Sequence, residues 1–150
     1  MSPQRRFHER VISAFRAALN VQAPASLTAV MQMDVKLAKR SRPRPDVVVV
    51  DSDAADDPER TFYLPAEIQL VVEVVSPESE DRDRLTKPQR YAQAGLPHFW
   101  RVEENGGRPV VYVCELDPST SAYAITGIHH SRLELAVPFP VSIDLDNLPR

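Results

Sequence analysis

Two carboxylates stand within or beside the most apolar segments of this sequence. Glu73 lies in the middle of LVVEVVSP, and Asp46 directly precedes the four valines of RPDVVVVD. An ionised carboxylate that is buried alone loses much of its hydration free energy, or it takes up a proton. If the two segments form neighbouring strands, the carboxylates converge and require a counter-ion. A hard divalent cation such as Mg²⁺ meets this requirement, because it binds carboxylate, carbonyl and water oxygens.

A lysine that follows these carboxylates could complete a site for phosphodiester hydrolysis. A bound Mg²⁺ acidifies a water and neutralises charge on a phosphoryl oxygen, and a nearby ammonium group stabilises the negative charge that develops. Lys87 is the nearest such group, and on a helix Asp83, Lys87 and Tyr91 would share one face at i, i+4 spacing. Pro88 disfavours helical geometry at the residue before it. The helix could therefore begin at Pro88, with Lys87 at its cap and Asp83 in the preceding loop.

Structural interpretations of the same residues stay open on this pattern alone. Glu73 could point to solvent from an edge strand, or it could form a structural ion pair. Asp46 follows a proline and could simply begin a strand. Lys87 in isolation indicates no site. The four histidines show no zinc-ligand spacing, and a single cysteine disfavours a structural zinc site.

The spacing of the apolar residues predicts an α/β fold around these segments. Helical spacing predicts an amphipathic helix over about residues 5–20, and strict alternation predicts a half-exposed strand over residues 29–37. The two valine-rich runs, at residues 46–50 and around Glu73, predict central strands covered on both faces of a sheet. A second helix is predicted over about residues 85–94. The remaining predictions are a surface loop over about residues 51–66 and strands in HFWRVE, VVYVCEL, SAYAITGI, near residues 133–137 and in IDLDNL.

Length and composition are those of one globular domain. The chain has 150 residues, of which 43% are hydrophobic. One cysteine excludes an internal disulfide and fits a reducing, cytoplasmic setting. The amino-terminal segment is interrupted by charged residues, unlike a signal peptide, and no segment reaches the length of a bilayer span. We therefore expect no membrane association.

A basic run could bind nucleic-acid phosphates close to Asp46. The net charge of −3 provides no global attraction to nucleic acid, so a local patch would have to supply it. The run KRSRPRP lies directly before Asp46, and a second basic segment follows Glu73. A solvated turn between two strands is the alternative interpretation, and the nearness to Asp46 leaves the two balanced. The candidate phosphate contacts are Arg40, Arg42, Arg44, Arg82 and Arg84.

Three segments carry a resemblance to a known family: RPDVVVVD, LVVEVVSPESEDRDRLTKPQRYAQAGLPHFWRVE and VPFPVSIDLDNL. They resemble the Uma-two family of restriction-endonuclease-like bacterial proteins, within the PD-(D/E)XK nuclease superfamily. The resemblance implies that Asp46 is the aspartate of the Pro-Asp motif and that Glu73 is the acidic residue of the (D/E)XK strand. Val75 replaces the lysine expected two residues after the glutamate, and Lys87 on the following helix matches that lysine instead. Three further residues match family positions with supporting roles: Ser76, Asp83 and Tyr91.

The resemblance implies a restriction-endonuclease-like fold, in which helices flank a mixed central sheet, and a single nuclease-like domain over residues 1–150. The implied function is hydrolysis of DNA phosphodiester bonds with Mg²⁺ or Mn²⁺ as cofactor. Asp46 and Glu73 would be the metal ligands, and Lys87 would be the third catalytic residue. We expect a homodimer, because such nucleases often act in pairs to cut two strands.

One departure from the family keeps a second function open. Family members carry an acidic segment such as Y-E-L-I-D-G before the first helix, whereas this sequence starts at MSPQRRFHERV. The expectation is that this segment is missing, together with any third acidic ligand that it would supply. The alternative function is therefore a catalytically inactive nuclease-fold module for binding or assembly.

Overall fold

A six-stranded sheet forms the centre of the protein. The computed structural model describes residues 6–75 and 80–148, and for residues 80–85 it describes the backbone alone. The strands of the sheet are β1 Leu27–Met31, β3 Val47–Asp51, β5 Ile68–Val74, β6 His98–Asn105, β7 Arg108–Asp117 and β8 Ala122–His129. Their order is β1-β3-β5-β6-β7-β8. All neighbours are antiparallel except β5 and β6, which run parallel.

Smaller elements cover this sheet. The helices are α1 Arg6–Gln22, α2 Ser52–Ala55 and α3 Glu80–Gln93, and a 3₁₀ turn spans Pro65–Glu67. Two further pairs of strands form separate small sheets: β2 Asp34–Val35 with β4 Phe62–Tyr63, and β9 Arg132–Leu135 with β10 Val141–Asp144. Because β5 and β6 are parallel, a crossover must join them, and α3 provides it. The predicted mixed α/β fold with flanking helices is confirmed.

The first core lies between α1, the β9–β10 pair and one face of the sheet. Apolar residues three or four positions apart on α1 form the stripe that enters it. Phe15 is fully buried there and meets Trp100 of β6 edge to face, with 6.3 Å between the ring centroids. The residues that build the first core include Val11, Ile12, Phe15, Leu19, Val49, Val72, Trp100, Leu133 and Ile143.

The second core lies on the opposite face of the sheet. Here α3 packs with Tyr91 fully buried, and the Tyr91 ring lies 5.9 Å from that of Phe99. The residues that build the second core include Val35, Val48, Tyr63, Val71, Tyr91, Leu96 and Phe99. Both valine-rich strands are therefore covered on both faces and have neighbours on both sides, as predicted.

The strand predicted over residues 29–37 is wrong in its length, because the chain breaks at Gln32. β1 ends at Met31, and Gln32 adopts a left-handed backbone with φ of 55°. Before the break, Ala29 belongs to the first core, and after it Val35 belongs to the second core. The alternation of the sequence thus continues across a turn that moves the chain from the sheet edge to the β2–β4 pair.

The predicted start of the second helix is also wrong. Instead of beginning near residue 85 or at Pro88, α3 begins at Glu80 and contains Pro88 in its interior. Proline removes one helical hydrogen bond and crowds the preceding turn. Burial of Tyr91 and Ala92 one turn later stabilises the helix beyond the proline.

The predicted surface loop over residues 51–66 contains short regular elements, namely α2, β4 and the start of the 3₁₀ turn. Strands β6 to β9 lie where the sequence predicts them, within two residues at each end. The last strand, β10, lies earlier than predicted, because it shares only residues 143 and 144 with IDLDNL. Among the helices of the described residues, none has both the length and the apolar character needed to cross a membrane.

The packing of α1 predicts a large difference between two substitutions on the same helix. Phe15→Ala removes a fully buried ring, and we expect it to lower the free energy of unfolding by about 3–5 kcal/mol. Val21→Ala is the control, because Val21 is 85% exposed, and it should change that free energy by less than about 0.5 kcal/mol. Urea denaturation followed by tryptophan fluorescence and circular dichroism measures both. Equal losses would contradict the assignment of the first core.

Candidate active site

Strand register brings charged side chains into one row on the α3 face of the sheet. The register that pairs Val47 with Val72 brings Asp46 beside Glu73. Glu73 in turn pairs with Arg101 of β6, and Arg101 pairs with Tyr112 of β7. Side chains two residues apart on a strand point to the same face. Because Val48 and Val71 belong to the second core, Asp46 and Glu73 face that same side.

The Glu73 carboxylate is buried and accepts hydrogen bonds at both oxygens. Among the side chains that the structure describes, it is the one buried charged group, at 4% exposure. Its Oε1 accepts the backbone N–H of Asp46 at 3.2 Å, and its Oε2 accepts Lys87 Nζ at 3.1 Å. A cation and an amide N–H thus offset the loss of hydration that burial imposes on this group.

The Asp46 carboxylate is held in a reciprocal arrangement. Its Oδ2 accepts the backbone N–H of Val74 at 2.7 Å, so each of the two acidic residues is bonded to the backbone of the other strand or its extension. Its Oδ1 lies 3.3 Å from His8 Nε2 of α1. The structure therefore brings together the three principal site residues predicted from the sequence, Asp46, Glu73 and Lys87.

His8 is a site residue that sequence reasoning missed. Its hydrogen bond to Asp46 raises the pKa of His8 above the ordinary value; burial acts in the opposite direction, while the charges of Asp46, Glu73 and Glu9 raise this pKa further. Helical spacing places His8 at the start of α1, yet nothing in that spacing indicates which strand end the helix approaches. The contact depends on how α1 packs across the first core.

Arg101 is a second residue that sequence reasoning missed. Its Nε donates to Glu103 Oε2 at 2.7 Å, and its guanidinium lies 4.3 Å from the centroid of the Tyr112 ring. The side chain is held by these two contacts next to Glu73 in the row. Arg101 lies 28 positions after Glu73 in the sequence, so only the register between β5 and β6 shows that the two residues are neighbours.

The other predicted site residues lie in different surroundings. Tyr91 is fully buried in the second core and packs on Phe99. Ser76 lies outside the described residues, as do the side chains of Arg82, Asp83 and Arg84. The supporting and phosphate-binding roles given to those four residues stay predictions.

The basic run before Asp46 is organised around one aspartate. Arg42 Nε and Arg44 Nε each donate to Asp34 at 2.8 Å, and Arg42 also lies over the Phe62 ring at 4.7 Å. The two guanidinium groups lower the pKa of Asp34. Arg40 is exposed to solvent. Of the three phosphate contacts predicted in this run, Arg42 and Arg44 are therefore paired within the protein.

The chemistry of the two central carboxylates fits a hard divalent cation. Among the described residues, no three histidine, cysteine, aspartate or glutamate side chains are grouped so that they could hold a metal ion. Mg²⁺ needs only one or two carboxylates, because water and substrate oxygens fill its other positions. Asp46 and Glu73 provide this donor set, with His8 Nε2 facing one oxygen of Asp46 and the Lys87 ammonium group facing one oxygen of Glu73.

The fold and the carboxylate–lysine arrangement define a nuclease-like α/β domain. The model of the Uma2 family, described as "Putative restriction endonuclease", matches residues 1–146, and the chain belongs to this family. The resemblance found in the sequence is thereby confirmed.

Among solved structures, the chain is similar in fold to a putative nuclease belonging to DUF820 from Anabaena variabilis ATCC 29413, with a TM-score of 0.70 and 15% sequence identity. The match covers 92% of this chain and 75% of that chain. No curated protein matches the sequence.

The Glu73–Lys87 contact predicts energetic coupling between the two side chains. Lys87→Met removes the ammonium group that donates to the buried Glu73 carboxylate, and we expect a loss of about 1–3 kcal/mol in the free energy of unfolding. In a protein that already carries Glu73→Gln, Lys87→Met should lower the free energy of unfolding by less than it does in the wild type. The difference, which is the coupling energy, should be about 0.5–3 kcal/mol. A double-mutant cycle by urea denaturation measures this coupling. Strictly additive losses would show that the contact contributes nothing.

Proposed function

We propose that this protein is a metal-dependent nuclease that hydrolyses phosphodiester bonds of DNA. The observation that carries the proposal is the pair of carboxylates from adjacent strands with an ammonium group at 3.1 Å from one of them. Family membership as a putative restriction endonuclease and the nuclease-like fold support the same reaction class.

The residues of the chain have separate roles in this proposal. Asp46 and Glu73 are the residues that would hold Mg²⁺ or Mn²⁺. When bound, the cation supplies positive charge to the phosphoryl oxygens and lowers the pKa of a water. Lys87 orients the attacking water or stabilises the negative charge on the phosphoryl group. Its contact with Glu73 keeps the ammonium group within the site before substrate binds.

Basic side chains around the carboxylates would bind the flanking phosphates. Asp34 holds Arg42 and Arg44 side by side, with side-chain exposures of 43% and 66%, so both guanidinium groups remain accessible to a ligand. The exposed Arg40 would add a further phosphate contact from the same basic run. Arg82 and Arg84 remain proposed contacts from the sequence alone. Such contacts position a nucleic acid without reading its bases.

A homodimer would allow cleavage of both strands of a duplex. The edge strand β8 exposes Ile125 and Ile128, and an exposed apolar edge can pair with a second copy. Light scattering that reports only monomers at micromolar concentration would remove the dimer from this proposal.

A nuclease-fold module that binds without cutting is the second candidate. Each oxygen of the two carboxylates already accepts a hydrogen bond or faces a donor from the protein: His8 and the Val74 amide for Asp46, and the Asp46 amide and Lys87 for Glu73. This internal pairing would suit a site that serves stability alone. In that case the wild type binds DNA but shows no dependence on a divalent cation.

The proposed roles predict loss of cleavage on substitution of the site. Glu73→Gln and Lys87→Ala should each lower the rate of Mg²⁺-dependent cleavage of plasmid DNA by about 10²–10³-fold, because each removes one source of electrostatic stabilisation. The readout is conversion of supercoiled plasmid to nicked and linear forms with time.

Asp53→Asn is the matched control, since it exchanges an exposed carboxylate on α2, at the far end of β3, for an amide. It should cleave like the wild type. Urea denaturation of each variant separates lost chemistry from lost folding. If the folded wild type, Glu73→Gln and Lys87→Ala proteins are equally active or equally inactive, the proposed function is wrong.

A further inference from the structure

The Asp46 carboxylate is fixed at two points that come from different layers of the protein. Its Oδ2 is bonded to the β5 backbone, and its Oδ1 faces His8 of α1. Asp46 precedes the first residue of β3, and Pro45 directly before it has no N–H to donate. The contact with Val74 alone leaves the second oxygen without a fixed orientation, and His8 supplies that orientation.

His8 is carried by a rigid element. One turn further along α1, Val11 and Ile12 are buried in the first core, and Phe15 follows them. The His8 side chain is itself only 15% exposed. Because the helix is anchored so close to His8, the imidazole has little freedom to leave Asp46.

The same geometry favours an indirect role over metal ligation. His8, Asp46 and Glu73 all lie within the described residues, and they do not form a group of three that could hold a metal ion. The imidazole nitrogen instead points at a carboxylate oxygen within hydrogen-bonding range. Groups that hydrogen-bond a ligating carboxylate orient it, and their loss commonly lowers metal affinity about 10–100-fold.

We propose that His8 is a positioning residue that orients the Asp46 carboxylate for binding a divalent cation. This inference rests on the nuclease function proposed above. It assigns α1, which packs on the opposite face of the sheet from α3, a direct part in building the site.

Calorimetric titration with Mn²⁺ alone tests the inference, using His8→Ala, His8→Gln and the exposed His130→Ala as the control. His8→Ala should bind Mn²⁺ about 10–100-fold more weakly than the wild type. His8→Gln should recover most of that loss, because its amide keeps an N–H donor. His130→Ala should match the wild type. Urea denaturation verifies that each variant is folded.

Cleavage assays at increasing Mg²⁺ distinguish a positioning role of His8 from a purely structural role, because only a positioning role predicts that excess cation restores kcat. At saturating Mg²⁺, His8→Ala should regain most of the wild-type kcat, because positioning affects affinity for the cation rather than the chemical step. A wild type that binds no Mn²⁺ would overturn the proposed function and this inference together. A wild type that binds Mn²⁺ no better than His8→Ala would overturn the inference alone. The same holds if His8→Gln is as weak as His8→Ala, or if kcat stays low at saturating metal.

Discussion

The buried carboxylate of Glu73 is the constraint around which this structure is arranged. A charge at 4% exposure is tolerated only when donors surround it, and the donors come from separate parts of the chain. The Asp46 amide approaches from the extension of β3, and the Lys87 ammonium approaches from α3. Asp46 returns the contact by accepting the Val74 amide, so the two acidic residues lock the ends of β3 and β5 together. The two adjacent carboxylates are stable in this arrangement because each of their four oxygens faces a donor: an amide N–H, the Lys87 ammonium group or the His8 imidazole.

The topology of the sheet explains how these groups meet. The valine-rich strands β3 and β5 occupy interior positions, where both faces are covered and the register is set by packing on each side. The crossover through α3 returns the chain to the same face that carries Glu73, which places Lys87 within reach. The first core anchors α1 on the other face, and from there His8 reaches Asp46. The candidate site therefore includes side chains from helices on both faces of the sheet, Lys87 of α3 and His8 of α1.

Local patterns predicted much of this arrangement, and its misses have a common physical origin. The valine runs predict the central strands, because that signal lies within a few consecutive residues. The carboxylates beside or within them predict the candidate site only together with the family resemblance. Arg101 and His8 were missed, since their roles depend on strand register and helix docking between distant segments. The break at Gln32 was missed because apolar and polar residues alternate on both sides of it. The break itself is a left-handed backbone conformation at this one residue. The sequence predicts a helix start near Pro88, whereas α3 continues through this proline. The burial of Tyr91 that stabilises the next turn is a tertiary contact, and a local pattern does not contain it.

The central claim is that Asp46 and Glu73 together bind one divalent cation. A crystal of the wild-type protein soaked in Mn²⁺, with anomalous data collected at the manganese edge, tests it most directly. The account predicts one anomalous peak within coordination distance of a carboxylate oxygen from each residue, with Lys87 Nζ displaced from Glu73 Oε2. A map with no peak between these carboxylates, and with Lys87 and His8 still in contact with them, would contradict the account and leave a structural ion-pair network in its place.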